Sequence, residues 1–410
     1  MNRITARLAT GLLIALLCDR ADAYSVLGIR YPIGLTYKTC SGMSHSMAGT
    51  SAALPNDHNV GLRNPANLGL IAKTVFSSLA TFDFTNISSE ADGATANDMA
   101  FVPTTLAFGF PLGRIGTMGL SYEKRSGAKV RYQSTYPLEM QLQSVSGIDI
   151  DFARDGGMSV WQAGWGYSVG KWVQVGLSYE RVYLTLKEAR IKRIYGDFIH
   201  TSVDTSSIKF RGNGIRAGVI VPIDKLTMGL YGEYILESDA EYANALYDGT
   251  SSPSMDRKNF TLALPPSVSM GAAYAFSPEW LAGADVDMVL WDVYSSENLL
   301  VGAAKGTALS FSIGGQYIVA PNLLAPKYWE VMQYRTGFRY SQLPVETARE
   351  FAFTAGVGLP LSRGGGLLDI ALEYGRRTDA DYAGFTEEFL HFSFGFNGGR
   401  KWIKSTQSDY

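Results

Sequence analysis

The stretch WQAGWGYSV at residues 161–169 sets Trp161, Ala163, Trp165, Tyr167 and Val169 against Gln162, Gly164, Gly166 and Ser168. A period of two is the signature of a β-strand with one face against an apolar medium. The pattern recurs along the chain. Leu368, Ile370, Leu372 and Tyr374 oppose Asp369, Ala371, Glu373 and Gly375, and Leu390, Phe392, Phe394 and Phe396 oppose His391, Ser393 and Gly395. Runs of this kind predict fourteen strands at 74–87, 103–111, 114–125, 158–170, 172–186, 208–221, 226–237, 258–276, 279–293, 307–320, 329–340, 350–361, 366–376 and 386–397.

The second face of these strands is polar. It carries Glu123, Gln174, Glu180, Arg216, Glu233, Asp285, Asp287, Gln316, Arg335, Arg339, Glu373 and His391. Alternation alone does not say which face is outside, but length and connections do. Strands of about nine to fifteen residues suit a tilted bilayer crossing better than a soluble sheet. The turns at 111–114, 170–171, 222–225 and 277–278 are short, and they alternate with longer links at 88–102, 126–157, 187–207, 238–257 and 294–306. Short turns on one side and long loops on the other predict an all-β, transmembrane antiparallel barrel with a polar lumen. The even count places both ends on the short-turn, periplasmic side. The link Pro321–Tyr328 is longer than its neighbours on that side. The links at 126–157 and 187–207 carry Val130, Tyr132, Tyr136, Leu138, Met140 and Leu142, then Ile191, Ile194, Tyr195, Phe198 and Ile199. They are expected as loops that fold over the barrel mouth and pack on each other.

Composition excludes other classes. Lys plus Arg number 36 against 38 Asp plus Glu, so there is no basic surplus for nucleic acid. Arg3 and Arg7, the apolar run Leu8–Leu17 and Ala21-Asp22-Ala23 predict a signal peptide over 1–23. Its removal leaves Cys40 as a single cysteine, which excludes an internal disulfide and a cysteine-rich zinc site. The four His, at 45, 58, 200 and 391, have no metal-ligand spacing, and no nucleophile elbow or Walker loop is present. Neither an enzyme nor a cofactor is expected.

Residues 40–70, CSGMSHSMAGTSAALPNDHNVGLRNPANLGL, lack any apolar stripe. A small-residue segment ahead of fourteen strands is expected inside them. The units are then a hatch or plug over 24–72, a barrel over 73–397 and a periplasmic tail over 398–410. Asn64-Pro65 reads first of all as a turn, with gating as the sharper alternative. Asp57 and Arg63 are candidates to pair with lumen charges, against a plain solvated pair. Asp285 and Asp287 lie two strands from Arg335 and Arg339, and a structural charge network is the default for such residues. Binding of a carboxylate headgroup by an Arg is the sharper reading. Trp291 reads as an interface anchor or core residue before a ligand contact.

Met47–Leu68, with Ala48-Gly49-Thr50-Ser51-Ala52, Asp57 and Asn64-Pro65-Ala66-Asn67-Leu68, resembles the hatch of FadL-type long-chain fatty acid transporters. The stretch 264–294 is similar too, with Leu264-Pro265 opening a strand, a turn at Ser277–Trp280, Asp285 or Asp287, and Trp291. The resemblance implies a monomeric barrel in the cell outer membrane, among its lipids, that lets a hydrophobic small molecule such as a fatty acid or hydrocarbon pass passively. In that family the molecule binds near the hatch and leaves sideways through a gap in the wall. PorV-type shuttle barrels of type IX secretion share the small-residue and NPA-like opening. They imply the rival reading, a barrel that binds a secreted protein partner. The tail past Asn397 departs from barrels that end on an aromatic residue.

Overall fold

In the computed structural model, residues 31, 33–38, 41–55, 59–89, 95–137, 145–196, 199–249, 254–296, 306–323, 325–344, 347–362, 366–380 and 385–400 are described. The expected signal peptide, Asp57 and the expected tail from Lys401 onward lie outside these residues, whereas Gly398–Arg400, expected in that tail, belong to the last strand.

Eighteen strand segments form one closed antiparallel barrel, and four pairs of them are single crossings with an interruption, so the chain crosses fourteen times. The crossings are β1 (Thr74–Ser89), β2 (Thr95–Pro111), β3 (Thr117–Lys124, then Val130–Pro137), β4 (Val145–Val169) and β5 (Val173–Gly196). Next come β6 (His200–Ile223), β7 (Leu226–Ile235, then Ser238–Tyr247), β8 (Ser254–Ala263, then Ser267–Ala275) and β9 (Trp280–Leu290, then Ser295–Ser296). The last are β10 (Thr307–Ile318), β11 (Gln333–Gln342), β12 (Ala348–Ser362), β13 (Gly366–Asp379) and β14 (Phe385–Arg400). β1 closes on β14, from Thr74 opposite Arg400 to Ser89 opposite Phe385. Each of the fourteen expected strands has its counterpart.

The outer surface is apolar and aromatic. Phe108, Leu120, Trp165, Leu177, Ile215, Leu230, Ile313 and Phe353 are exposed, with Trp172, Phe276, Trp280 and Trp329 at the short-turn rim. Inverting the soluble pattern in this way is stable only in lipid, and the rim aromatics sit where an interface girdle belongs. The polar face points inward. Glu123, Gln174, Glu180, Arg216, Asp285, Arg335, Arg339, Glu373 and His391 are all buried.

The long links at 88–102, 126–157, 187–207 and 238–257 are largely strand among the described residues, while most of 294–306 lies outside them. Val130–Pro137 continues β3 and pairs with β4, and β5 and β6 stay paired out to Ile194 opposite His200. Ser238–Tyr247 and Ser254–Ala263 likewise form a ladder. Val130, Tyr132, Tyr136, Ile191, Ile194 and Tyr195 are therefore strand residues, while 138–144 and Phe198 lie outside the described residues. β4 has 25 residues, more than twice the roughly 9–11 that a crossing needs. The asymmetry between the two rims comes from strands that project beyond the membrane rather than from long loops. The link at 321–328 leads into a short 3₁₀ turn at Tyr328–Glu330, which a hydrogen bond from the Lys327 amide to Glu330 Oε2 closes at 2.7 Å.

Candidate functional site

Residues 41–55 and 59–72 lie within the ring of strands. They form a five-residue helix, α1 (Gly42–Ser46), and a 3₁₀ turn at Pro65–Leu70. Their hydrogen bonds reach strands all round the barrel. Val60 N donates to Ser77 Oγ of β1 (3.0 Å), and Thr117 Oγ1 of β3 donates to Ile71 O (3.1 Å). Ser168 Oγ of β4 donates to Gly69 O (2.8 Å), Asn64 Nδ2 to Val219 O of β6 (3.4 Å), and Ala48 N to Thr354 Oγ1 of β12 (3.0 Å). Val60, Leu62, Leu68 and Ile71 pack on Val75 and Ala107 of the wall, and Met43, Met47, Ala53 and Leu54 pack on Ala273.

Glycines on the inner wall make room for this packing. A Cβ at Gly176 would lie 2.2 Å from the Pro65 carbonyl carbon, at Gly218 2.1 Å from Asn64 Oδ1, and at Gly229 1.9 Å from Ala52 O. Sequence reasoning missed them. Their signal was a glycine on the polar face, where an open lumen would accept any small side chain.

Asn64 caps the 3₁₀ turn, its side chain accepting from Ala66 N (3.1 Å) and donating to Ala52 O (2.7 Å). Pro65 stands at the first position of that turn, where its missing N–H costs nothing. Asn64, Pro65 and Ala66 are buried and act as a structural knot. Arg63 donates to Lys38 O (2.5 Å), and Arg216 donates to the carbonyls of Leu62 and Arg63 (both 3.3 Å).

Asp285 grips the segment directly: Oδ2 accepts from the amides of Ser51 (2.6 Å) and Ala52 (2.9 Å). Hydrogen bonds to a charged acceptor contribute about 1.5–3 kcal/mol. Asp285→Ala leaves two buried N–H groups unpaired, and amide exchange at Ser51 and Ala52 is expected to accelerate on the order of tenfold to a hundredfold. Mass-spectrometric exchange in detergent checks this, and unchanged protection would refute the grip.

Of the remaining candidates, Arg216, Asp287 and Trp291 line one cavity with Arg63, whereas Arg335 and Arg339 lie outside it. Asp287 faces Lys38 (3.7 Å), whose amine burial pushes down to about 8. Arg335 is held by Asp369 (2.5 Å), and Arg339 by Glu350 (3.0 Å) and Glu373 (2.5 Å). Arg216 pairs with Glu180 (3.1 Å) and Glu233 (2.5 Å), and Arg125 binds Glu123, Glu180 and Glu233 together. These guanidiniums are already neutralised, so the charge-network reading fits them better than a headgroup clamp. The sequence reading had not named Arg125, Glu350, Asp369 or Arg377 among the candidates. His45 of α1 lies 3.4 Å from Glu373, and burial pushes its imidazole down to about 4, so it is neutral at pH 7. Trp291 is buried and meets Tyr294 at a steep ring angle (5.5 Å).

That Trp291–Tyr294 pair belongs to a large apolar cluster on the inner wall. Val160, Val182, Leu184, Ile208, Phe210, Phe260 and Leu262 line it, and Ile33 of the N-terminal arm packs into it. The arm is pinned by a two-residue ladder, Leu35 opposite Gly127 and Thr36 opposite Ser126, and by Tyr37 N donating to Arg125 O (2.8 Å). A cavity of about 160 Å³ lies between Ile33, Leu264 and Trp291 on one side and Arg63, Arg125 and Glu233 on the other.

The wall itself is interrupted beside the arm. Pairing of β2 with β3 runs from Pro111–Thr117 to Thr105–Glu123 and stops. β2 continues to Thr95 paired with β1 alone, while β3 turns toward β4 and the arm. Pro103 sits on this stretch, opposite Ala80 of β1 and beyond the end of the β3 ladder, where an absent N–H is tolerated. A bulge at Leu79–Ala80 marks the place. A cavity of about 310 Å³ opens there, lined by Phe101, Pro103 and Tyr122 of the wall and by Asp83, Arg377 and His391 of the interior.

The barrel is similar to that of the Ralstonia pickettii toluene transporter TbuX (TM-score 0.60, 17% identity, 91% of this chain and 100% of that one). It is also similar to a Pseudomonas aeruginosa FadL homologue (0.62, 14%, 89% and 99%) and to the P. putida toluene transporter TodX (0.58, 15%, 89% and 100%). At such identities the likeness is one of fold. No curated protein matches the chain. A profile described as BamG matches residues 18–409, nearly the full length, and the chain therefore belongs to the BamG family.

Proposed function

We propose that the protein is an outer-membrane channel for passive passage of small hydrophobic molecules, of the kind of long-chain fatty acids or hydrocarbons. Residues 41–72 act in it as the hatch. The interruption between β2 and β3 carries this reading, because it joins the lipid-facing side of the wall to an interior cavity. An apolar solute gains nothing from a water-filled exit, whereas a side door into the bilayer keeps it out of water throughout. The apolar cluster from Val160 to Leu262 supports it as the surface on which such a molecule rests before the arm yields. The toluene transporters and the FadL homologue named above share the fold, and the first two carry a hydrophobic compound by name.

Ala100 is buried and lines the side cavity. Ala100→Trp is expected to fill it and cut uptake of a labelled fatty acid or toluene into proteoliposomes about tenfold, equivalent to ~1.4 kcal/mol. Ion conductance should stay unchanged. Undiminished uptake by the variant, or wild-type uptake no faster than in empty vesicles, would sink the proposal. Purification with a stable protein partner and no bound apolar molecule would favour the secretion reading instead.

A further inference from the structure

The outward faces of β5 and β6 change character at one height. On β5 the exposed Leu177 and Tyr179 give way to Arg181, Tyr183 and then Lys187, and on β6 Ile215 gives way to Arg211 and Lys209. The ladder sets these residues side by side, with Tyr183 opposite Arg211 and Thr185 opposite Lys209. A tilted crossing takes about 9–11 residues. Counted from the short-turn ends at Val173 and Ile223, both strands leave the hydrocarbon near Tyr183 and Asn213. Tyr183 then stands in the interfacial girdle, and the cations stand at the level of lipid headgroups.

These cations differ from those inside the barrel. Lys187, Lys209 and Arg211 are exposed, and none makes a side-chain hydrogen bond or ion pair among the described residues. Glu241 lies opposite Lys209 and Asp155 opposite Lys187 in register, but neither carboxylate forms an ion pair with its neighbour. Arg181 is fixed beside them, donating to Asn213 Oδ1 (2.6 Å) with its guanidinium 5.8 Å from the Tyr183 ring centre. With no salt bridge to these carboxylates, the donors of all three cations stay available to a further anion at this height.

We propose that Lys187, Lys209 and Arg211, backed by Arg181, bind the phosphate groups of a phosphorylated lipid of the outer leaflet. The lipid's chains lie along Leu177, Tyr179 and Ile215. Lysine and arginine at this depth reach headgroup oxygens while their stems stay on apolar surface, and a phosphate accepts several such donors at once. The inference rests on the outer-membrane reading above and on short turns facing the periplasm. It does not depend on what passes through the lumen.

The test titrates the full chain in detergent with bisphosphorylated lipid A and reads bound lipid by native mass spectrometry. The K187Q/K209Q/R211Q variant is expected to bind about tenfold to a hundredfold more weakly, since each cation near a charged lipid surface contributes separately. A K187R/K209R/R211K variant should bind like the wild type, and heat-shifted gel mobility verifies that both barrels have folded. Wild-type affinity in the glutamine variant would overturn the site, as would equal binding of dephosphorylated lipid A. Displacement by millimolar inorganic phosphate would overturn the lipid as its ligand. Uptake measured in parallel separates the two proposals: lost uptake with lipid binding intact bears on the channel alone.

Discussion

A chain lacking residues 41–70 is expected to conduct ions freely in a planar bilayer, where the intact protein conducts little. The segment's bonds to β1, β4, β6, β9 and β12 make it a cross-brace as well as a stopper. The wall, however, has its own ladder from β1 round to β14, so the barrel itself should survive the deletion. Once the segment is gone, the inner wall presents Asp285, Gln174, Arg216, Glu180 and Ser269 to solvent, which favours hydrated ions. Conductance on the order of ten times the intact value or more follows from a lumen of this class. Unchanged conductance with a folded barrel would remove the hatch from the account.

The second large effect is expected from Gly176→Val. The new Cβ would fall 2.2 Å from the Pro65 carbonyl carbon, and backbone does not give way as a side-chain tip does. Overpacking usually costs about 1–3 kcal/mol and can cost more where nothing relaxes. Here the cheaper relaxation is to push the Asn64–Leu70 turn out of its seat. The variant should therefore keep its heat-shifted gel mobility, gain conductance and expose the turn to protease. Gly232→Val is the control, since a Cβ there meets nothing nearer than 3.6 Å. A silent Gly176→Val would show that the turn is not seated against the wall.

Much of the fold was legible because lipid imposes a strict alternation. Wherever a strand crosses the membrane, as in Trp161–Val169 or Leu368–Tyr374, the apolar residues fall on one face and the strand can be read directly. Beyond the membrane both faces meet water, the alternation fades, and Lys187–Gly196 looks like a loop although it is paired throughout. The inward face was also readable as a set, but its partnerships were not. Arg335 binds Asp369 and Arg339 binds Glu373, because strand order places β12 and β13 beside them, and strand spacing carries no such information. Asn64-Pro65 was legible as a turn from its local chemistry alone. The interruption at Thr105–Glu123 was not, since it depends on where a register ends.

The closing seam has a consequence for how the molecule is made. Thr74 meets Arg400, so the first crossing finds its last partner only when the whole chain is present. Contacts this distant in sequence form slowly. Until then the sheet is an open trough, and the stretch ahead of β1 can be laid into it sideways. After the seam closes, the same stretch, with its α1 and its turn at Pro65–Leu70, would have to be threaded in from one end. Assembly therefore has a fixed order, with the interior furnished before the wall is shut.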